Sequence, residues 1–176
     1  MLTHWNKLFN TNCKVIEVGG RTVYPIFKVG LTSLMADATT IYTNKQISKC
    51  RHIDILFRDP GERFVSGVNQ YCKENSLDVE DTWELIEQGT LVDRHFVPQY
   101  VWLLHLHRFY KGTVTLLPFK DIKKITKIHK RYSNKRKTPV ALLKSFVEVD
   151  YELIENHLNK PILLEKLIRK YKNVLS

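Results

Sequence analysis

An α/β fold is predicted for this chain of 176 residues, with a central, mainly parallel sheet flanked by helices and an N-terminal β-hairpin, on three observations. Apolar runs of strand length at residues 21–27, 53–57 and 113–117 alternate with stretches of helical periodicity. The first two runs pass straight into short loops that open a helix, as in a β-α-β unit with both loops on one sheet edge. Gly19-Gly20 separates residues 13–18 from 21–27, the signature of a hairpin whose second strand leads into the first of those loops.

Composition sets the outer bounds. With 43% hydrophobic residues and no internal repeat or low-complexity linker, residues 1–176 read as one domain. There is no apolar run long enough to span a bilayer, and Met1-Leu2-Thr3-His4-Trp5-Asn6-Lys7 lacks a signal-peptide pattern, so a soluble, cytoplasmic protein is expected. Cys13, Cys50 and Cys72 show no C-x-x-C spacing, which predicts free thiols rather than a zinc site or a disulfide framework. The formal net charge of +10 calls for an anionic partner: nucleic acid, an anionic membrane surface, a polyanionic glycan or a cofactor carrying several phosphates. Charge by itself does not choose among them.

The chain is organised around Tyr24-Pro25-Ile26-Phe27-Lys28-Val29-Gly30-Leu31-Thr32-Ser33-Leu34, an apolar run, a short loop and an apparent helix over 31–43. A strand feeding a tight turn that opens a helix aims unpaired N–H groups at one spot and suits an anion. Gly30 allows close backbone approach, Lys28 supplies a mobile cation, and Thr32 and Ser33 offer hydroxyl donors. The nucleotide-binding pattern G-x-x-x-x-G-K-[ST] is absent, because the lysine precedes the glycine. The alternative reading is an ordinary strand-to-helix turn.

A second loop follows the strand His52-Ile53-Asp54-Ile55-Leu56-Phe57. Asp59 is placed to cap a helix that accepts Pro60 in its first turn, and Phe64, Val65, Val68, Tyr71 and Cys72 recur at helical spacing as its buried face. Arg58 leaves the carboxyl end of the strand and Ser66 lies two turns into the helix, so both are placed to converge on a ligand. The alternative is a surface ion pair between Arg58 and Asp59 and an ordinary helix serine. Arg63 reads as a structural ion-pair partner.

The run from Arg58 to Tyr71, R-D-P-x-x-R-x-x-S-x-x-x-x-Y, resembles the sulfotransferases that use 3'-phosphoadenosine 5'-phosphosulfate (PAPS), in particular their carbohydrate branch. The resemblance implies that Arg58 and Ser66 bind the cofactor's 3'-phosphate. It implies that the Lys28-Val29-Gly30-Leu31-Thr32-Ser33-Leu34 loop binds the 5'-phosphosulfate. Arg94-His95-Phe96-Val97-Pro98-Gln99 resembles the family's H-x-x-P-Q segment, and residues 113–122 its late strand beside the substrate cleft. The matches keep family order over residues 24–122 and imply a compact P-loop-like fold. One departure is that only thirty positions separate Lys28 from Arg58, fewer than is usual, which implies an abbreviated acceptor site.

Elsewhere, residues 78–89 predict a short acidic, solvated helix between Asp78 and Gly89. Residues 100–110 read as a strand whose His105 and His107 share a face, with no third metal ligand in view. A helix is predicted over 120–132, followed by a basic run over 127–137. That run is either solvated or, as the resemblance implies, closes over the nucleotide. Thr138-Pro139 and Pro161 each open a further helix; the stripe of the first is Leu142, Leu143, Phe146 and Val147, and that of the second Leu163, Leu164, Leu167, Ile168 and Tyr171.

The chemistry implied is transfer of a sulfuryl group from PAPS to a hydroxyl or amine acceptor, a carbohydrate or small glycoconjugate such as an anionic glycan, leaving 3'-phosphoadenosine 5'-phosphate (PAP). Lys28 is the candidate to stabilise the departing oxygen and His95 the candidate base, with His52, Asp54, His105 or a glutamate as alternatives. No metal is called for, and no specific nucleic acid is expected. Rival readings are a small-molecule kinase, for which no acidic metal ligand can be placed, and a non-catalytic basic domain that binds nucleotides or nucleic acid.

Overall fold

A computed structural model describes Leu8, residues 14–127 and residues 144–172. The chain runs through β1 (Val15–Val18), β2 (Arg21–Tyr24), α1 (Leu31–Ala36), β3 (Thr40–Tyr42), α2 (Asn44–Ile47), β4 (His52–Phe57), α3 (Pro60–Asn75), α4 (Val79–Glu87) and α5 (Gln99–His107). It continues through β5 (Thr113–Pro118), a 3-10 turn (Phe119–Lys124), α6 (Lys144–His157), β6 (Pro161–Leu163) and α7 (Leu164–Tyr171). The six strands form one sheet in the order β3-β1-β2-β4-β5-β6, flanked by helices. The α/β class expected from the sequence is the class observed.

The middle of the sheet is parallel, with Val23 opposite Asp54 and Ile55 opposite Leu116. The glycine hairpin forms where it is predicted, pairing Ile16 with Val23, and both glycines take positive φ. Both edges are antiparallel, so β2/β4 and β4/β5 are the parallel pairings and β1/β2, β1/β3 and β5/β6 the antiparallel ones. The sheet is mixed, not mainly parallel.

Two misread segments account for that difference. The helix predicted over 31–43 stops at Ala36, where the Asp37 N–H closes back on the Ser33 carbonyl, and Thr40–Tyr42 instead pairs Ile41 with Ile16. Thr-Ile-Tyr is β-branched and aromatic, and its neighbour strand offers a free edge. Pro161 does not open a helix but begins β6, opposite Thr115 at a sheet edge where a missing N–H is tolerated. Leu164, Leu167, Ile168 and Tyr171 then form the buried stripe as predicted, while Leu163 is exposed.

Residues 100–110 are mostly the helix α5, not a strand. Positions two apart on a helix point about 200° apart, so His105 and His107 do not share a face. His105 is buried with Nδ1 2.9 Å from the Tyr24 hydroxyl, and His107 lies 3.1 Å from the Lys111 ammonium. Among the described residues no group of three His, Cys, Asp or Glu side chains is arranged to hold a metal ion. The helix predicted from residue 120 is a 3-10 turn over Phe119–Lys124 that buries Ile122. Cys13, the basic run beyond Lys127 and the start at Thr138-Pro139 lie outside the described residues.

Two apolar clusters hold the layers together. The larger joins β1, β2, β4 and β5 to α5 and α7 through residues such as Val23, Ile55, Leu103, Leu116 and Leu167. The smaller, Phe64, Val68, Cys72, Ile86, Phe96 and Val147, packs α3 against α4 and the segment before α5. Asp78 caps α4 by accepting from the Glu80 N–H at 2.7 Å, and the acidic face of that helix is exposed, as expected. Among the described residues no helix is long and apolar enough to cross a membrane.

Candidate functional site

Because β2 and β4 are parallel neighbours, the loops that follow them emerge at the same sheet edge. The first loop is tightly wound: Lys28 has φ 66° and Gly30 φ 73°, and Gly30 enters α1 without a side-chain cap. A β-carbon on Gly30 would stand 2.1 Å from Ile122 Cδ1 and 3.2 Å from Phe119 Cε2. The left-handed backbone favours glycine here, and Ile122 and Phe119 of the 3-10 turn lie on the side where a side chain would stand. The Leu34 side chain is fully buried in the core, and its N–H donates to the Gly30 carbonyl at 3.0 Å. Thr32 is exposed, Leu31 partly so, and Ser33 is buried with its carbonyl accepting from Thr126 Oγ1 at 3.1 Å.

The second loop is held from below. Asp59 accepts from the Glu62 N–H at 2.8 Å and so caps α3, leaving Arg58 to pair with Glu62 at 3.2 Å rather than with Asp59. The Arg58 guanidinium lies 5.7 Å from the centre of the Phe119 ring. Phe119 thus borders both the Gly30 loop and Arg58. Ser66 is buried two turns into α3.

Gln99, fully buried, grips the Arg58 backbone twice: its Oε1 accepts from the Arg58 N–H and its Nε2 donates to the Arg58 carbonyl, each at 2.9 Å. The Gln99 and Tyr100 N–H groups at the start of α5 donate in turn to the Asp150 carboxylate at 2.6 and 2.8 Å. Burial pushes Asp150 up to about 6, against the pull of those N–H donors and of Arg63. Arg63 is only 2% exposed and donates to the carbonyls of Phe27 at 3.1 Å, of Arg94 at 3.4 Å and of Val97. Burial lowers Arg63 to about 10, so it stays charged at neutral pH. Its role is structural, as predicted, but its direct partners are carbonyls: it staples the lysine loop to the His95 segment.

His95 is 5% exposed. Its Nδ1 lies 2.5 Å from Asp93 Oδ1, which also accepts the His95 N–H at 2.8 Å. Burial acts to raise Asp93, but the His95 hydrogen bonds and the charge of Arg94 outweigh it and hold the carboxyl below its ordinary range. On the other side of the ring, Nε2 is 3.2 Å from Glu74 Oε2, close in distance yet out of hydrogen-bond alignment. Glu74 accepts from Gln70 Nε2, and Gln70 Oε1 accepts from the Lys28 ammonium. The two residues singled out for chemistry, Lys28 and His95, are therefore ends of one polar chain through Gln70 and Glu74. Gly67 admits the His95 carbonyl against α3, where a β-carbon would stand 2.1 Å from that oxygen.

Gln70, Glu74, Asp93 and Asp150 are absent from the sequence reading. A signal for the first two does exist: Ser66, Gln70 and Glu74 are spaced four apart, about 6 Å per step, and so lie on successive turns of α3. Asp93 and Asp150 carry no such spacing. A separate open cleft of about 830 Å³ is lined by Gly19, Asp37, Lys123, Lys124, Ile125, Thr126 and Lys127, at the hairpin turn. Compared with protein-family models, curated proteins and solved structures, the chain gives no match.

Proposed function

We propose that the chain is a sulfotransferase that takes a sulfuryl group from PAPS and passes it to a hydroxyl or amine acceptor. The observation that carries this reading is the common edge of β2 and β4, where the Lys28 loop and Arg58 follow adjacent parallel strands and are tied to one helix. The donor chemistry fits a bisphosphorylated adenosine. Lys28 and Arg58 are cations, Thr32, Ser33 and Ser66 carry hydroxyls, and the polar partners now on those cations, Gln70 and the exposed Glu62, sit at side-chain ends that can swing aside.

In this reading Arg58 and Ser66 hold the 3'-phosphate, and Lys28 with Gly30, Leu31, Thr32 and Ser33 holds the 5'-phosphosulfate. PAPS supplies a sulfuryl group on a mixed anhydride, whose bridging oxygen gains charge as the group departs. Lys28 offsets that charge, by analogy with phosphoryl transfer. Gln99 keeps the Arg58 backbone in place, and Arg63 keeps the lysine loop against the segment that carries His95. His95, backed by Asp93, anchors the side on which the acceptor's proton is lost. A carbohydrate acceptor, such as an anionic glycan, suits the net charge of +10.

Calorimetry with PAP, against ATP and AMP, tests the reading. Binding of PAP that is at least tenfold tighter than binding of either control supports it, and equal or absent binding overturns it.

A further inference from the structure

Resting on the reading above, we propose that Glu74 is the group that receives the acceptor's proton, and that His95 is a positioning residue behind it. His95 is 5% exposed, while the Glu74 side chain is half exposed, so an acceptor reaches the carboxylate and not the ring. Asp93 occupies Nδ1 of His95 and, being held ionised, takes its proton as a hydrogen bond. Nε2 is then left facing Glu74 Oε2 at 3.2 Å, two lone pairs across a gap that is relieved when one proton enters it. A buried nitrogen without an aligned partner, 3.2 Å from an exposed carboxylate, comes into alignment with it by a small turn of the flexible glutamate once a proton is there to share.

The position relative to Lys28 suits the task. Lys28 contacts Gln70, and Glu74 is one helical turn further along α3, about 6 Å away by the rise of a helix. The side chain of Gln70 now stands between the cation for the departing oxygen and the carboxylate for the incoming one, and the sulfuryl group takes its place when that side chain swings aside. The acceptor oxygen forms its bond to sulfur as the bond from sulfur to the bridging oxygen breaks. The electron pair of that broken bond stays on the bridging oxygen beside Lys28. The acceptor's proton passes to Glu74 and is held between Oε2 and Nε2, where Asp93 balances the imidazolium.

The test compares wild type with Glu74→Gln and His95→Asn by PAP calorimetry and by release of PAP from PAPS, using heparosan, chondroitin, chitobiose and water as probe acceptors. Glu74→Gln should lower kcat by about 100-fold or more with PAP affinity and the KM for PAPS unchanged. His95→Asn should lower kcat by less than Glu74→Gln, since the carboxylate remains. In nitrogen NMR of the PAP-bound protein, the Nε2 resonance of His95 should move on Glu74→Gln while the Nδ1 resonance, set by Asp93, stays in place. Turnover of Glu74→Gln within threefold of wild type, or a larger loss in His95→Asn, overturns the inference and leaves the sulfotransferase reading standing. Failure of wild type to bind PAP removes both, and binding of PAP without turnover on any probe removes the role of Glu74 alone.

Discussion

The side-chain amide of Gln99 satisfies both backbone polar groups of Arg58, accepting from its N–H and donating to its carbonyl at 2.9 Å. The residue that follows β4 is thereby held by the first residue of α5, forty-one positions later. Two buried hydrogen bonds of this kind are worth about 1 kcal/mol each, and stranding their partners costs more. Gln99→Leu should lower stability by about 2–4 kcal/mol in urea unfolding and weaken PAP binding beyond what the stability loss explains. Unchanged PAP affinity in a folded Gln99→Leu protein would mean that Arg58 needs no such support.

Lys28→Ala and Arg58→Ala separate binding from folding. Neither side chain belongs to the core: Lys28 contacts Gln70 at the surface of α3, and the Arg58 head pairs with exposed Glu62. Each variant should keep its unfolding midpoint close to that of wild type, since exposed pairs contribute little. Each should lose sulfuryl transfer from PAPS, and Arg58→Ala should lose PAP affinity as well. Full activity in either variant contradicts the assignment.

Asp150 carries a pH dependence of unusual sign for a carboxylate. Its folded value, pushed up to about 6 by burial, lies above the value of about 3.9 for an unfolded aspartate. The folded protein therefore binds this proton more strongly, and the contribution of Asp150 is fully present below about pH 4 and lost as pH rises through about 6. The span corresponds to about 3 kcal/mol at most. Asp150→Asn removes the titrating carboxyl, leaving one oxygen for one of the two N–H groups and an amide facing the other, and should flatten this slope while lowering stability across the range. Urea unfolding of both proteins between about pH 4 and about pH 7 measures the difference, and parallel curves would refute it.

The parts legible in the sequence are those with a local cause. The Gly19-Gly20 hairpin, the Asp59 and Asp78 caps, Pro60 in the first turn of α3 and the two loops at one edge all follow from neighbouring residues. Where the sequence misleads, a distant partner decides. Thr40–Tyr42 is a strand because β1 has a free edge, and Pro161–Leu163 because β5 has one. The α5 segment is apolar nearly all round, so neither a period of two nor one of 3.6 stands out and the aromatic content favours the wrong state. The site divides in the same way. Lys28, Arg58 and His95 stand in recognisable strings, but Asp150 reaches Gln99 across 51 positions and Arg63 reaches Phe27 across 36, which no spacing rule announces.

Gly67 offers the sharpest test of how α3 and the His95 segment are joined. It lies inside a helix, where alanine is ordinarily favoured over glycine by about 1 kcal/mol, so a bare helix argument predicts that Gly67→Ala stabilises the protein. The neighbour decides otherwise: the new methyl would stand 2.1 Å from the His95 carbonyl oxygen and 2.7 Å from its carbon, both backbone atoms. Backbone cannot rotate away as a side chain end can, so α3 and the segment around His95 must separate. That shift strains the Arg63 bonds to the Val97 and Arg94 carbonyls and moves His95 away from Glu74. Gly67→Ala should therefore destabilise the protein by about 1–3 kcal/mol and lower turnover more than PAP affinity, because the methyl meets the His95 and Phe96 backbone directly and the Gln99 clamp on Arg58 only through the chain that follows. Urea unfolding with parallel PAP calorimetry checks both parts, and a stabilised variant with full turnover would show that the two segments do not need this contact.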